Sequence, residues 1–287
     1  MAQQPMAYLD PDFLESEEAR PLRIISEYLE PLRRFKQQRI QDTVVFFGSA
    51  RIDSRERAER ALLTLRARGV QDAADHYEAE LAKSRRAVEW AHYYEDAREL
   101  ARLHTAWSMG LGAEHHRFVV TSGGGPGIME AANRGAREAG GKTIGLNIRL
   151  PFEQGANPFI TDGLHFEFHY FFMRKFWFAY LAKALVIFPG GFGTCDELFE
   201  LLTLVQTDKL SKKIGVILYG REYWDQVLSF KPMAEWGAIA DADLSLLHVA
   251  DTPVAAFERL REHLTMNHLE PATPQEAAAP GIAKTRG

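Results

Sequence analysis

Residues 189–197, with the sequence Pro-Gly-Gly-Phe-Gly-Thr-Cys-Asp-Glu, combine residue types that could bind an anion and act on the molecule that carries it. Apolar residues 184–188 predict a buried strand before this string, and residues 196–205 predict a helix after it. Glycines let the backbone approach an anion closely, and the first N–H groups of a helix have no acceptors within it. We therefore expect the string to bind a phosphate through Gly190, Gly191, Gly193 and Thr194.

Thr194 and Glu197 are the two side chains of this string that could take part in chemistry. Thr194 can cap the predicted helix and donate its hydroxyl to a phosphate oxygen, and Glu197 can reach the same ligand with its carboxylate. A carboxylate weakens anion binding, so its presence favours a catalytic role. The alternative is a capping box in which Glu197 and Thr194 bond each other's backbone, which their spacing also allows.

A second glycine-rich loop, Ser-Gly-Gly-Gly-Pro-Gly at residues 122–127, follows a predicted strand over 117–121 and precedes a predicted helix over 128–138. Its spacing is not G-x-G-x-x-G, and no Lys-Ser or Lys-Thr follows it, so neither a dinucleotide site nor an NTPase site is predicted. One such loop is as compatible with a tight turn as with a ligand site. Two of them favour anion binding, because open α/β sheets bind ligands at the carboxyl ends of their strands.

Short apolar strands alternate with helices over most of the chain, which predicts a parallel sheet covered by helices on both faces. The predicted fold class is α/β, with a Rossmann-like, doubly wound and mainly parallel sheet. This sheet forms a nucleotide-binding catalytic domain over residues 43–264. Residues 1–42 predict a helical N-terminal extension, whose amphipathic helix is interrupted near Pro31.

Three further segments have distinct compositions. Residues 53–93 are charged and rich in alanine, and they predict a helical insertion, a protruding hairpin that bends at Gly69 and is dispensable for chemistry. Residues 265–287 predict a disordered tail. A strongly apolar, aromatic helix over residues 171–182 carries more apolar surface than one sheet face needs, so we expect a homodimer or a higher homo-oligomer.

The 287-residue chain has a formal charge of −5, so it lacks the excess of Lys and Arg that grips nucleic acids. Its one cysteine, Cys195, excludes an intramolecular disulfide. With no signal sequence and no apolar run of membrane-spanning length, we expect a cytoplasmic protein without a membrane partner. His165 and His169 are not spaced as a metal site, and Cys195 has no adjacent base that would make it a nucleophile.

Taken together, these motifs resemble the Lonely Guy family of cytokinin-activating nucleotide phosphoribohydrolases, often called lysine decarboxylase-like proteins. The hallmark P-G-G-x-G-T-x-x-E of this family is complete over residues 189–197, and its Arg-Lys pair on the preceding helix matches Arg174-Lys175. The usual Met-His-Glu before that pair is Phe-Phe-Met here. The Gly48-Ser49 ending of the first strand and the Ile-Met-Glu after the second loop also match.

The resemblance covers residues 43–52 and 93–264, and it implies hydrolysis of the N-glycosidic bond of nucleoside 5′-monophosphates, with AMP or an N6-modified AMP as substrate. The products would be free base and ribose 5-phosphate, without a cofactor or a metal. The reaction passes through an oxocarbenium-like sugar, which Glu197 would stabilise while Arg174 neutralises charge on the phosphate or the departing base. The residues implied to bind the substrate and its phosphate are Gly48, Ser49, Ser122, Gly124, Gly125, Met129, Lys175, Gly190, Gly191, Gly193 and Thr194.

Other functions stay open on sequence grounds, because a fold does not fix a function. A non-catalytic protein that binds or carries a nucleotide or a molybdenum cofactor could use the same fold. A DNA-processing protein of related architecture is a further alternative, disfavoured by the acidic charge. Arg174 could also form no more than a surface salt bridge. The presence of both Glu197 and Arg174 favours catalysis on a nucleoside monophosphate.

Overall fold

The computed structural model describes residues 5–69, 74–150, 155–207 and 212–269. These residues contain one sheet with seven strands, β1 Thr43–Phe47, β2 Val119–Ser122, β3 Thr143–Ile148, β4 His165–Phe168, β5 Ala182–Ile187, β6 Gly215–Tyr219 and β7 Leu247–Ala250. Their order across the sheet is β4-β3-β2-β1-β5-β6-β7, and every neighbouring pair is parallel. The predicted parallel sheet is confirmed.

The described residues also form ten α-helices. They are α1 Pro11–Glu15, α2 Arg20–Gln37, α3 Arg55–Arg68, α4 Ala74–Met109, α5 Ile128–Glu138, α6 Phe171–Leu181, α7 Phe192–Gln206, α8 Arg221–Val227, α9 Lys231–Glu235 and α10 Pro253–Leu264. Short 3₁₀ turns lie at Ala7–Leu9 and Asp241–Leu246, and a π-helical turn at Thr265–Leu269 continues α10. None of the described helices is long and apolar enough to span a membrane.

All five residues of β1 are buried, and alternate residues face opposite sides of the sheet. Val44 and Phe46 pack into a core formed with α4, α5 and α10. Val45 and Phe47 pack into a second core formed with α2, α6 and α7. Helices therefore cover both faces, as the doubly wound fold class predicts.

The strand order reverses direction between β1 and β5. From β1 the chain proceeds to β2, β3 and β4 on one side, and from β5 to β6 and β7 on the other. Such a reversal leaves a crevice at the carboxyl ends of the two central strands, where open α/β sheets bind ligands. The pair Gly48-Ser49 directly follows β1, and residues 189–197 follow β5, so both motifs lie at this crevice.

The N-terminal helix α2 is continuous through Pro31, so the predicted interruption is wrong. Proline lacks the N–H that would bond the carbonyl of Glu27, four residues earlier, and this loss normally breaks a helix. Here the indole Nε1 of Trp177 on α6 donates to that carbonyl at 2.9 Å. The tertiary hydrogen bond replaces the one that proline removes.

The insertion predicted over residues 53–93 contains α3 and the first part of α4, which pack on each other. Helix α3 ends at Arg68, and its C-cap residue is Gly69, where the bend is predicted and where φ is +66°. The pair does not protrude along its whole length. At its base, Arg57 forms an ion pair with Glu130 in the first turn of α5. The Tyr94 hydroxyl donates to the same carboxylate at 2.7 Å. The insertion thus contacts the helix that follows the second glycine loop.

Replacement of Arg57 by Ala is expected to lower the free energy of unfolding by about 1–3 kcal/mol, because the Glu130 side chain, only 7% exposed, loses its cationic partner. Arg60→Ala is the matched control on the same helix. The ion pair of Arg60 with Glu56 is 72% and 76% exposed, so we expect a change below about 0.5 kcal/mol. Urea unfolding measures both, and equal losses in the two variants would contradict the structural role of the Arg57 contact.

The tail predicted over residues 265–287 is described only in part. Its first five residues form the π-helical turn Thr265–Leu269. Residues 270–287 lie outside the described residues.

Candidate active site

The loops after β1, β2 and β5 meet through the backbone of Ser49. Its N–H donates to the carbonyl of Pro189 at 2.9 Å, and its carbonyl accepts from the N–H of Ile128 at 3.1 Å. Gly127, with a φ of +69°, makes this approach possible, because a Cβ there would lie 2.4 Å from the Ser49 carbonyl oxygen. The structure therefore brings the Gly48-Ser49 motif and both glycine loops into one cluster.

The buried side chains of Asn133 and Asn157 form hydrogen bonds that fix the loop over residues 122–127. Neither residue was predicted from the sequence. Asn157 Nδ2 donates to the carbonyls of Gly124 and Gly125 at 3.0 Å, and also to Asn133 Oδ1 at 2.9 Å. The hydroxyl of Ser122 donates to Asn133 and accepts from the Gly124 N–H. The Ser122 hydroxyl and the Gly124 N–H are thus committed to contacts within the protein.

Met129 lies half-buried above the same loop, in the first turn of α5. A Cβ on Gly123 would lie 2.7 Å from its sulfur, and one on Gly125 would lie 2.9 Å from its terminal methyl. The thioether therefore packs directly on the glycines. A larger side chain at Gly123 or Gly125 would require the flexible end of Met129 to move.

The helix that follows β5 begins earlier than predicted, at Phe192, with Gly191 as its N-cap residue. Thr194 therefore lies within the first turn, and the prediction that it caps the helix is wrong. The first helical hydrogen bond runs from the N–H of Cys195 to the carbonyl of Gly191, so the three N–H groups before Cys195 precede the helical bonding pattern. Gly191 and Gly193 are exposed, which leaves this helix start accessible to an anion.

Arg174 on α6 and Glu197 on α7 form a largely buried ion pair. Arg174 Nη2 lies 2.7 Å from Glu197 Oε1, and the two side chains are 13% and 12% exposed. The ring centroids of Phe171 and Phe178 lie 5.6 and 5.4 Å from the guanidinium carbon of Arg174. Both alternatives raised by the sequence are therefore wrong: Arg174 does not form a surface salt bridge, and Glu197 is not a capping-box partner.

Burial raises the pKa of Glu197 to about 7, although the charge of Arg174 opposes the shift. Asp196 and Glu200 raise this pKa further, and Lys175 lowers it. A carboxylate that titrates near neutral pH is typical of groups that act as acids, bases or charge stabilisers in active sites.

Lys175 is held by other carboxylates of α7. Its ammonium lies 2.8 Å from Asp196 and 3.3 Å from Glu200, and its side chain is 20% exposed. The Arg-Lys motif therefore connects α6 to α7 at successive positions. The structure places Lys175 beside Glu197 as a neighbouring charge, with its own partners.

Two cavities in the described residues lie away from this crevice. An apolar one borders α7 and includes Phe199, Leu202, Phe230, Met233, Ile239 and Leu247. The other lies at the amino end of β2 and includes Thr105, Ser108, His115, His116, Arg117 and Lys142. Among the described residues, no group of three or more His, Cys, Asp or Glu side chains could hold a metal ion.

The chain is similar in sequence to known proteins. Residues 129–260 match a family model described as possible lysine decarboxylase. The chain is 29% identical over 153 residues to the cytokinin riboside 5′-monophosphate phosphoribohydrolase LOG of Oryza sativa subsp. japonica, covering 51% of this chain and 60% of that protein. It is 32% identical over 114 residues to the cytokinin riboside 5′-monophosphate phosphoribohydrolase of Rhodococcoides fascians, covering 39% of this chain and 56% of that protein.

Among solved structures, a molybdenum cofactor carrier protein from Chlamydomonas reinhardtii aligns with a TM-score of 0.40 and 19% identity, covering 78% of this chain and 99% of that one. The names of the sequence relatives and the description of the family model are those of the family that the motifs resemble. The predicted resemblance to the Lonely Guy family is therefore confirmed. The chain spans about 60% of the length of the rice relative, so its activity and substrates are matters for proposal.

Proposed function

We propose that this protein hydrolyses the N-glycosidic bond of nucleoside 5′-monophosphates, releasing the free base and ribose 5-phosphate. The observation that carries this proposal is the buried Arg174–Glu197 pair, whose carboxylate has a pKa of about 7. Glu197 lies on α7, and the glycine-rich start of this helix lies at the crevice where the strand order reverses. One helix thus offers an anion-binding end and, about a turn and a half further, a carboxylate.

The phosphate of the substrate would lie at the N-terminus of α7. The N–H groups of Phe192, Gly193 and Thr194 precede the first helical bond, and the helix dipole favours negative charge there. Binding energy from this remote group would orient the ribose without taking part in bond cleavage.

Glu197 would act on the sugar. As the glycosidic bond breaks, positive charge develops on the ribose ring, and a carboxylate stabilises it or orients the attacking water. Arg174 keeps this carboxylate in place through its 2.7 Å contact and neutralises charge that develops on the departing base. Its Nε is buried without a hydrogen-bond partner in the described residues, so one donor of the guanidinium is uncommitted.

AMP or an N6-modified AMP is the substrate that we propose, because the named relatives act on cytokinin riboside 5′-monophosphates. The family description as possible lysine decarboxylase has a weaker basis in this site. Burial lowers the pKa of Lys175, but bonds to Asp196 and the charge of Glu200 outweigh it and raise the pKa overall. A lysine that forms Schiff bases needs the opposite shift.

Purified protein incubated with AMP, N6-modified AMP, GMP, CMP and UMP, followed by chromatography, tests the proposal. We expect release of the base from the adenine nucleotides. Release of adenosine and inorganic phosphate would instead indicate a phosphatase. Saturable binding of nucleotide without any turnover would support a carrier and contradict the proposed hydrolysis.

The pH dependence follows from the position of Glu197. If the ionised carboxylate is required, kcat/KM for AMP rises with pH around a midpoint near 7. Asp196→Asn should move this midpoint to lower pH, because the Asp196 charge raises the pKa of Glu197. The phosphate of AMP also titrates, at pH ~6, and its titration is the same with either enzyme. A midpoint that does not change in Asp196→Asn would therefore mean that the pH dependence comes from the substrate.

A further inference from the structure

Glu27 of the N-terminal helix α2 contacts α6 and the residues just before it in three ways. Its carboxylate accepts from the backbone N–H of His169 at 2.7 Å and from that of Tyr170 at 3.3 Å. Its own carbonyl accepts from the indole of Trp177 at 2.9 Å. These contacts hold both the beginning and the middle of α6, which starts at Phe171.

The sequence of α2 explains why Glu27 can do this. Pro31 removes the N–H that would occupy the Glu27 carbonyl within the helix, and this frees the carbonyl for Trp177. The neighbouring Tyr28 stacks on Trp177 with 5.8 Å between ring centroids and an interplanar angle of 26°. Pro31 and Tyr28 therefore fix the register in which Glu27 meets α6.

Apolar packing secures the first turn of α6 only in part. Met173 is buried in the core, but Phe171 and Phe172 are each 51% exposed, whereas Trp177 and Phe178 in the next turns are each only 2% exposed. Tyr170 is the N-cap residue but provides no side-chain cap. A carboxylate that binds the N–H groups entering a helix satisfies those donors and interacts favourably with the helix dipole.

Arg174 lies one turn beyond these bonds, and its N–H donates to the carbonyl of Tyr170. We propose that Glu27 is a positioning residue, which sets the first turn of α6 and thereby holds Arg174 against Glu197. This role rests on the proposed function for its effect on catalysis. The N-terminal extension is then part of the support of the active site.

The contact between Arg174 and Glu197 can be measured without turnover. The charged groups that act on Glu197 are Arg174 and Lys175 on α6 and Asp196 and Glu200 on its own helix. Displacement of Arg174 removes a charge that favours the ionised carboxylate, so the titration midpoint of Glu197 moves to higher pH. Loss of stability elsewhere in the fold does not move it.

The experiment compares the full-length protein with Glu27→Ala and with Glu30→Ala. The Glu30 side chain is 48% exposed and pairs with Arg34 on the same helix. Protein labelled with ¹³C at glutamate side-chain carboxyls is titrated by NMR, and the Glu197 signal is the one absent from Glu197→Gln. We expect a midpoint about half a pH unit higher in Glu27→Ala, a threefold change in proton affinity. We expect no change in Glu30→Ala.

An unchanged Glu197 midpoint in folded Glu27→Ala would overturn the positioning role. If Glu27→Ala does not fold, Glu27→Gln, which retains one acceptor oxygen, replaces it, and the same criterion applies. With AMP as substrate, kcat should fall about tenfold in Glu27→Ala and change little in Glu30→Ala, equivalent to ~1.4 kcal/mol. A wild-type protein without hydrolase activity would refute the proposed function, while the NMR midpoint would still decide the role of Glu27.

Discussion

Glu197→Gln is expected to lower kcat for AMP hydrolysis by about 10²–10⁴-fold, the range for loss of one positioned catalytic carboxylate. Glutamine keeps the size of the side chain and an oxygen that can accept from Arg174, so the 2.7 Å contact can survive the change. What disappears is the negative charge that would meet the oxocarbenium-like sugar. Steady-state kinetics of adenine release measure the effect.

Glu200→Gln is the matched control for this substitution. Glu200 lies one turn further along α7 and contacts Lys175, so its loss changes the local charge without changing the buried pair. We expect less than about a threefold change in kcat, since the removal of a partly exposed charge has a small effect. Near-wild-type turnover by Glu197→Gln, or equal losses in the two variants, would give Glu197 a purely structural role.

The second large effect concerns the 5′-phosphate. AMP should be hydrolysed with a kcat/KM at least about 10²-fold above that of adenosine, because hydrogen bonds to a charged group contribute ~1.5–3 kcal/mol each. The phosphate would occupy the exposed start of α7 and hold the ribose against Glu197. Parallel assays of the two substrates with adenine as the readout measure the ratio.

A variant of the same helix separates phosphate binding from general damage. Thr194→Val removes the hydroxyl in the first turn and should lower kcat/KM for AMP while leaving that for adenosine unchanged. Thr203 lies more than two turns further along α7, and its hydroxyl donates to the carbonyl of Phe199. Thr203→Val should therefore leave kcat/KM unchanged for both substrates. Equal rates with AMP and adenosine in the wild type would mean that the glycine loops are turns without a ligand.

The strands and their parallel sheet could be predicted because short continuous apolar runs between helices indicate buried parallel strands. The order of the strands comes from the structure. The beginning of α7 could not be predicted. Gly191 and Gly193 have low helix propensity, and local propensity therefore delays the predicted start to residue 196. In the structure the Tyr223 hydroxyl bonds the Gly190 carbonyl at 2.7 Å, and this contact from a distant part of the chain fixes the loop before the helix.

The motifs assign Arg174 and Glu197 to one site, but they predict neither the ion pair between the two side chains nor its burial. Burial depends on how α6 and α7 pack, and this packing decides whether a carboxylate has an ordinary pKa or one near 7. The same limit explains why the supporting residues Asn133 and Asn157 were missed. Their hydrogen bonds join the second glycine loop to segments that are remote in the sequence.

The N-terminal extension shows a third kind of limit. Proline within a helical pattern predicts a break, because the local rule assumes that no other donor is available. The donor comes from Trp177, 150 residues from Glu27, and only the folded chain reveals it. That hydrogen bond is also one of the contacts that connect the extension to α6.

Product stoichiometry tests most directly which bond of the substrate this protein breaks. Purified wild-type protein is incubated with AMP, and adenine, ribose 5-phosphate, adenosine and inorganic phosphate are quantified over time. We predict adenine and ribose 5-phosphate in equal amounts that match the AMP consumed, at a rate greatly reduced by Glu197→Gln. AMP that stays intact, or adenosine and phosphate formed in place of adenine and ribose 5-phosphate, would contradict hydrolysis of the N-glycosidic bond.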